Sequence, residues 1–441
     1  MRKRLKFGLP IWFLSIFIII GLKAAWAEEL LPPPGKPLTL EQCTALALKY
    51  HPSLRANQAA IEASRAKVEQ ALAAYYPQIN FTSAYTNGTS NYYGTGPYRT
   101  GTHNWTFYDT YSLGPSLSQN IYDFGRTKNT VAINRENVKV NEEELAITKQ
   151  TVILNVKQAY FDVLQKLRLI KVAEETVKQN REKLDQALGF FQAGTRPKIE
   201  VTKAEVDLAN AELNLIRAKN NFQVARVALN NALGLSQELS FAIEDSLDFQ
   251  PYEITLEEIL RKSFEQRPEV LQIKARQRSQ EAAIKLAQAS YYPTISGNAS
   301  YLYRGGELSD LYWDFTIGAT LSIPLFSGFS SPNQVVEARA NLKNLKAQEE
   351  NLKLNIRLEA EQAYLSLKEA EERIRVTEKA VIQAQENYEL ARGRYQVGVG
   401  SPLEITDAEV LLANARANHI QALYDYKVAA ARIEKAMGMM R

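Results

Sequence analysis

AAYYPQINFTSAY (residues 73–85) changes its period halfway through. Up to Tyr76 the chain is alanine-rich and charged, with helical spacing. From Pro77 the residues alternate as in a strand, Ile79, Phe81 and Tyr85 against Asn80, Thr82 and Ala84. SYYPTISGNASY (residues 290–301) makes the same change 216 residues later. A switch repeated at one word predicts that the chain is duplicated and passes twice from long helix to strand.

Working outward from that word, the two halves align. LTLEQ at Leu38 matches ITLEE at Ile254, and HP at His51 matches RP at Arg267, both at an offset of 216. Beyond the strands the offset becomes 204: QAY at Gln158 and Gln362, IEVTKAEVDLANA at Ile199 and LEITDAEVLLANA at Leu403, LG at Leu233 and MG at Met437. The first half is 12 residues longer, wholly within its strand-like part. The expected division is repeat 1 over 38–235 (strands about 77–121), a linker over 236–253, and repeat 2 over 254–438 (strands about 293–325).

Each half predicts the same parts. Thr39 with Gln42, and Thr255 with Glu258, read as capping boxes that open a short helix. Pro52 and Pro268 interrupt it, because a proline inside a helix lacks a donor and clashes with the preceding turn. Two strands follow the second helix. The clearest is Trp313, Phe315, Ile317, Ala319, Leu321 and Ile323 against Asp314, Thr316, Gly318, Thr320 and Ser322. Next come very long helices over 127–190 and 333–395, each about 95 Å at ~1.5 Å per residue. Their apolar seam has the spacing of coiled-coil packing, for example Ile356, Ala360, Ala363, Leu367, Ala370 and Ile374. After a glycine turn a returning helix carries two offset seams, one through Ala204, Leu208 and Ala211 and one through Val206, Ala209 and Leu213. Two seams predict neighbours on both sides, as in a wall.

The ends bound the compartment. Residues 1–27 have a basic start, an apolar run from Leu9 to Leu22, and Ala25 and Ala27 placed for cleavage, the pattern of a secretory signal peptide. Residues 28–37 are expected to be extended. Cleavage removes five of the 53 Lys+Arg and none of the 49 Asp+Glu, so the mature chain is about neutral and its basic residues do not argue for nucleic acid. The single cysteine, Cys43, precludes an intrachain disulfide and reads as a packed helix residue.

Each chain thus offers four amphipathic strands whose apolar face has no other layer to cover it. Lipid solvates such a face, but a sheet in lipid must close so that no edge donor is left unpaired. Barrels need at least about eight strands. The chain must therefore oligomerise, and two, three or four copies all satisfy this argument.

The signal peptide, duplicated halves, HP/RP breaks, YYP words and YQVGVGSPLEITDAEVLLANA segment together resemble the TolC-type outer-membrane efflux proteins across residues 38–438. That resemblance implies a mainly α protein with transmembrane β: a homotrimer whose 12-stranded β-barrel in the outer membrane continues into a long α-helical periplasmic barrel. It implies an exit duct for tripartite efflux or type I secretion, with a periplasmic adaptor and an inner-membrane pump as partners, lipid around the barrel, and a large periplasmic portion of the Gram-negative type. Tyr75, Tyr76, Tyr291 and Tyr292 suit the membrane–water boundary. The turns with Gly194 and Thr195, and with Gly398, Val399, Gly400 and Ser401, become the adaptor-contacting tips. Glu404 and Asp407 match a family pair of aspartates that lines the closed entrance, and i, i+3 spacing puts both on one helix face. Their counterparts in repeat 1, Glu200 and Lys203, are placed to pair within one helix. Family closure also joins a tyrosine to an acid of the first repeat, matching Tyr395 and Glu200. The family's tip arginine aligns with Gly400, whereas Arg196 holds the equivalent place in the other repeat.

No chemistry competes with this. His51, His103 and His419 lack ligand spacing, so no metal or other cofactor is expected, and neither a phosphate loop nor a Ser/His/Asp set suggests an enzyme. Two other classes fit parts of the pattern: an envelope-spanning coiled-coil tether, and a periplasmic adaptor without an open pore.

Overall fold

The computed structural model describes residues 37–91, 105–235 and 242–440. The expected signal peptide over 1–27, nearly all of the segment over 28–37 and the start of the linker lie outside these residues. The element order is α1 (Leu40–Tyr50), α2 (Pro52–Leu72), β1 (Gln78–Asn91), β2 (Trp105–Tyr122), α3 (Arg126–Gln192) and α4 (Lys198–Leu233). It recurs as α5 (Leu256–Gln266), α6 (Pro268–Ala289), β3 (Thr294–Glu307), β4 (Asp310–Ser322), α7 (Ser330–Gln396) and α8 (Pro402–Ala436).

Local chemistry sets the boundaries. Thr39 and Gln42 form a reciprocal capping box at the start of α1, whereas the box expected at α5 forms only by half: Thr255 accepts from the Glu258 amide, but the Glu258 side chain pairs with Lys262 at 2.7 Å. Pro52 and Pro268 do not sit inside a helix. Each is the first residue of the next one, where its missing N–H would have no partner anyway, while His51 and Arg267 before them are extended. At the Tyr-Tyr-Pro word, α2 tightens into a 3₁₀ turn over Ala73–Tyr75, Tyr76 becomes extended, and β1 begins after Pro77. The second pair of strands ends at Ser322, a few residues short of the expected limit near 325. Pro324 has no donor with which to prolong the ladder.

The return from strand to helix needs two consecutive left-handed residues in each repeat: Phe124 and Gly125, then Gly328 and Phe329. The positions correspond but the residues are exchanged, so a phenylalanine bears the uncommon φ once per repeat. Asp123 anchors the first of these corners by accepting from the Gly125 and Thr127 amides at 3.0 and 2.7 Å. Ser327 accepts from the Ser331 amide in the second.

The long helices, of 67 residues each, extend about 100 Å. Most of the core lies at their middle, where α1, α5, the ends of α4 and α8, and the inter-repeat segment surround α3 and α7. Tyr160 on α3 is fully buried there, and its hydroxyl donates to the carbonyls of Leu38 and Glu244. Cys43 is buried as expected, and burial pushes its thiol up to about 12.

In each repeat the glycine after the returning helix packs against the break between the first two helices. Gly234 after α4 and Gly438 after α8 are left-handed, with φ of 71° and 72°. A Cβ on Gly234 would stand 2.7 Å from His51 Cα, and one on Gly438 2.9 Å from the Gln266 carbonyl oxygen. Gly438→Ala is expected to cost at least about 1–2 kcal/mol, the left-handed penalty alone. Gly189→Ala, within α3 with nothing near its Cβ position, should be neutral or stabilising by up to about 1 kcal/mol. Thermal unfolding of the two variants checks the contrast.

Candidate functional site

Two regions of the fold can act: the sheet and the helical tips. The sheet is antiparallel in the order β1-β2-β3-β4. Its register puts Ile79 opposite Leu117, Leu117 opposite Ala299, and Ala299 opposite Ile317. Ser116, Ser300 and Thr316 line up in the same way on the other face. One face is therefore apolar across all four strands and the other is rich in Ser and Thr. The apolar face is bare: Phe315 is 56% and Ile317 75% exposed. Within the chain β1 and β4 are each paired on one side only.

At the helix-proximal end of the sheet Tyr75, Tyr76, Tyr291 and Tyr292 are all exposed. They have company that the sequence reading did not assign. Phe124 stacks on Tyr292 with ring centroids 5.4 Å apart and meets Tyr122 edge-on. The strained corner thus sets its ring among the tyrosines. Arg126 donates to the carbonyls of Ala289 and Tyr292, fastening the start of α3 to the end of α6.

At the opposite ends of α3 and α7 lie the tips. Gly194 and Gly398 are left-handed, and the carbonyls of Phe190 and Arg394 accept from the amides of Thr195, Val399 and Gly400. A Cβ on Gly400 would stand 2.8 Å from the Tyr395 backbone nitrogen, so the turn itself excludes any larger residue at the place of the family's arginine. Val399 and Ser401 point outward and are exposed. Ser401 also caps α8 by accepting from the Leu403 amide.

Arg196 joins the two tips. It pairs with Glu200 at 3.1 Å and donates to the carbonyls of Gly398 and Gly400 at 3.2 and 3.1 Å. Its guanidinium also lies over the rings of Phe190 and Tyr395, 5.7 and 5.6 Å from their centroids. An arginine from the first tip thus reaches the backbone of the second. The pairing expected between Glu200 and Lys203 is not what forms: Glu200 turns to Arg196, whose planar fork lies within the half-buried turn, while Lys203 is exposed. Nor does the Tyr395 hydroxyl hydrogen-bond Glu200. The ring is buried, and burial raises its hydroxyl's pKa, with the Glu200 charge adding and Arg196 opposing.

Glu404 and Asp407 are both exposed on α8. Glu404 approaches Arg394 at 3.5 Å with both side chains about half exposed, so that pair contributes little to stability.

One charged cluster went unread in the sequence. Lys183 on α3 pairs with Asp207 on α4 and Glu409 on α8, both at 3.0 Å, and donates to Thr406 at 3.2 Å. Lys183 and Glu409 are each only 4% exposed. The signal was available, since Glu409 lies four residues after Ile405 and three before Leu412, on the same apolar stripe.

The comparisons with known proteins agree with this geometry. Residues 44–235 and 259–439 match the family described as outer membrane efflux protein. The chain belongs to that family. Among its relatives, the outer membrane protein TolC of Escherichia coli K12 is 23% identical over 96% of this chain and 86% of its own length. The cation efflux system protein CusC of the same strain is 24% identical over 89% of this chain and 84% of its own. The crystal structure of the CmeC outer membrane channel of Campylobacter jejuni superposes with a TM-score of 0.78 at 19% identity, over 91% of this chain and 85% of that one. Its fold is therefore that of the TolC-family channels, mostly helical with a small sheet, and its place is the outer membrane. Among the described residues no helix is long and apolar enough to cross a membrane.

The tip geometry makes Arg196 a stronger tie than the Tyr395 hydroxyl. Arg196→Met is expected to speed amide hydrogen exchange over 398–401 about tenfold, the loss of about 1.4 kcal/mol for charge-assisted bonds in a half-buried turn. Tyr395→Phe should leave that exchange nearly unchanged.

Proposed function

We propose that three copies of this chain form an exit duct for efflux or secretion, passive and open to the outside. The observation that carries the reading is the four-stranded sheet with a bare, mainly apolar face across all four strands and two half-paired edges. In lipid the face is solvated. Joining β4 of one copy to β1 of the next pairs the edges, and three copies make 12 strands, with the Ser/Thr face lining the pore. The two-seamed helices then stand side by side as the wall of a tube continuous with the barrel, across the periplasm.

In this reading Tyr75, Tyr76, Tyr291, Tyr292 and Phe124 ring the periplasmic boundary of the outer membrane, where amphipathic rings are favoured. The far ends of the helices meet a periplasmic adaptor through Gly194, Thr195, Gly398, Val399, Gly400 and Ser401, and through the adaptor an inner-membrane pump. Arg196, Glu200 and Tyr395 hold the tips shut, while Glu404 and Asp407 supply an anionic ring at the entrance that attracts cations. A duct needs no catalytic group or cofactor, and its cargo need not be bound.

Planar-bilayer recording of the detergent-extracted protein tests this. The wild type should conduct. Phe315→Arg or Ile317→Arg should impair insertion, since a charge facing mid-bilayer costs about 2–4 kcal/mol, whereas Thr316→Arg should be tolerated in the lumen. Glu404→Gln with Asp407→Asn should lower cation selectivity. A water-soluble, non-conducting protein would favour the tether or the adaptor. Greater damage from Thr316→Arg would reverse the assignment of the sheet's faces.

A further inference from the structure

The buried charges above the tips carry an inference beyond the tip contacts. Lys183 lies nine residues before the end of α3, roughly 14 Å from it. It is the one cation at the centre of the cluster and faces two carboxylates from two different helices, Asp207 of α4 and Glu409 of α8. Thr406, one turn before Glu409, accepts from Lys183 and lies 3.5 Å from Asp207. The cluster therefore joins the hairpin α3–α4 of the first repeat to the returning helix of the second. The tip network of Arg196 takes no part in it.

The charges do not balance. Two acids share one ammonium group, and the second oxygen of Glu409, Oε1, is buried with no hydrogen-bond partner. Burial pushes the Glu409 carboxyl up from its ordinary value, with Lys183 opposing and the Asp207 charge reinforcing. From α7 the buried Tyr388 feels the Glu409 charge: burial and then Glu409 push its hydroxyl up to about 12, so it stays neutral. Arg392 of α7 is held by Glu182 of α3 at 3.1 Å, and Lys203, one turn before Asp207 on α4, is exposed. No second buried cation among the described residues answers the surplus carboxylate.

The geometry points to a second latch: Lys183, Asp207, Thr406 and Glu409 hold α8 against the α3–α4 hairpin and must part before the duct, as read above, can open. The latch is sensitive to protons because its two acids outnumber its cation. With a proton on Glu409 the cluster is neutral and the latched arrangement is favoured. That advantage is complete below the ordinary carboxyl value of 4.5 and is lost as pH rises through the raised value, because separation of the helices returns Glu409 to water where its charge is solvated. Acid should therefore hold the duct closed, and neutral pH should ease its opening.

Two variants move this balance in opposite directions, which a merely structural role does not. Single-channel recordings of the full-length trimer between about pH 5 and about pH 7 should show the wild type opening more often as pH rises. Glu409→Gln mimics the protonated acid. It should keep the channel near its acid behaviour at neutral pH, with openings reduced and the pH dependence flattened. Lys183→Met leaves two carboxylates facing each other and should increase openings at neutral pH but not in acid. An unchanged pH profile in Glu409→Gln, or both variants shifting openings the same way, overturns the latch. A wild type that forms no conducting trimer overturns the duct reading, and the latch with it.

Discussion

The backbone of four strands is the constraint from which the rest follows. Each unpaired N–H or C=O in hydrocarbon costs several kcal/mol, so a sheet that enters lipid cannot keep an edge. This chain gives its sheet an apolar face that lipid alone would solvate, yet too few strands to curl into a barrel. Every other feature is compatible with copies completing one another: long helices with seams on both sides, a mid-length belt that fixes their spacing, and tips held by short-range contacts.

Duplication supplies the parts, and small departures from it specialise them. The corners after β2 and β4 use the same two left-handed positions with phenylalanine and glycine exchanged. The second proline break is preceded by Arg267, which is buried and paired with Glu269 and Glu359, where the first has His51 capping α2 through its ring nitrogen. At the tips the asymmetry has a mechanical result. Arginine occurs in the first turn and glycine in the corresponding place of the second, so one side chain spans two carbonyls of its neighbour. A pair of arginines would contest the same space.

Most of the fold was legible because its signals are local. Capping residues, proline breaks, the strand alternation and the long seams each depend on a few residues, and each recurs in the second copy. The placement of Arg196, Glu200 and Tyr395 at one spot was also legible, but not their bonding. Whether Glu200 meets Lys203 or Arg196 depends on the path of a turn, which no periodicity encodes. The partnership of Lys183 with Glu409 was harder still, since the two are 226 residues apart and neither has a charged counterpart in the other repeat that forms the same pair. A charge on an apolar stripe was its only trace.

The central claim is that the sheet closes only between copies and that the helices continue the same wall. Electron microscopy of the detergent-purified protein tests it most directly. The account predicts a threefold hollow cylinder with a short barrel at one end and a helical tube on the order of 100 Å long. A single chain with an open sheet, or a solid bundle without a lumen, would contradict it.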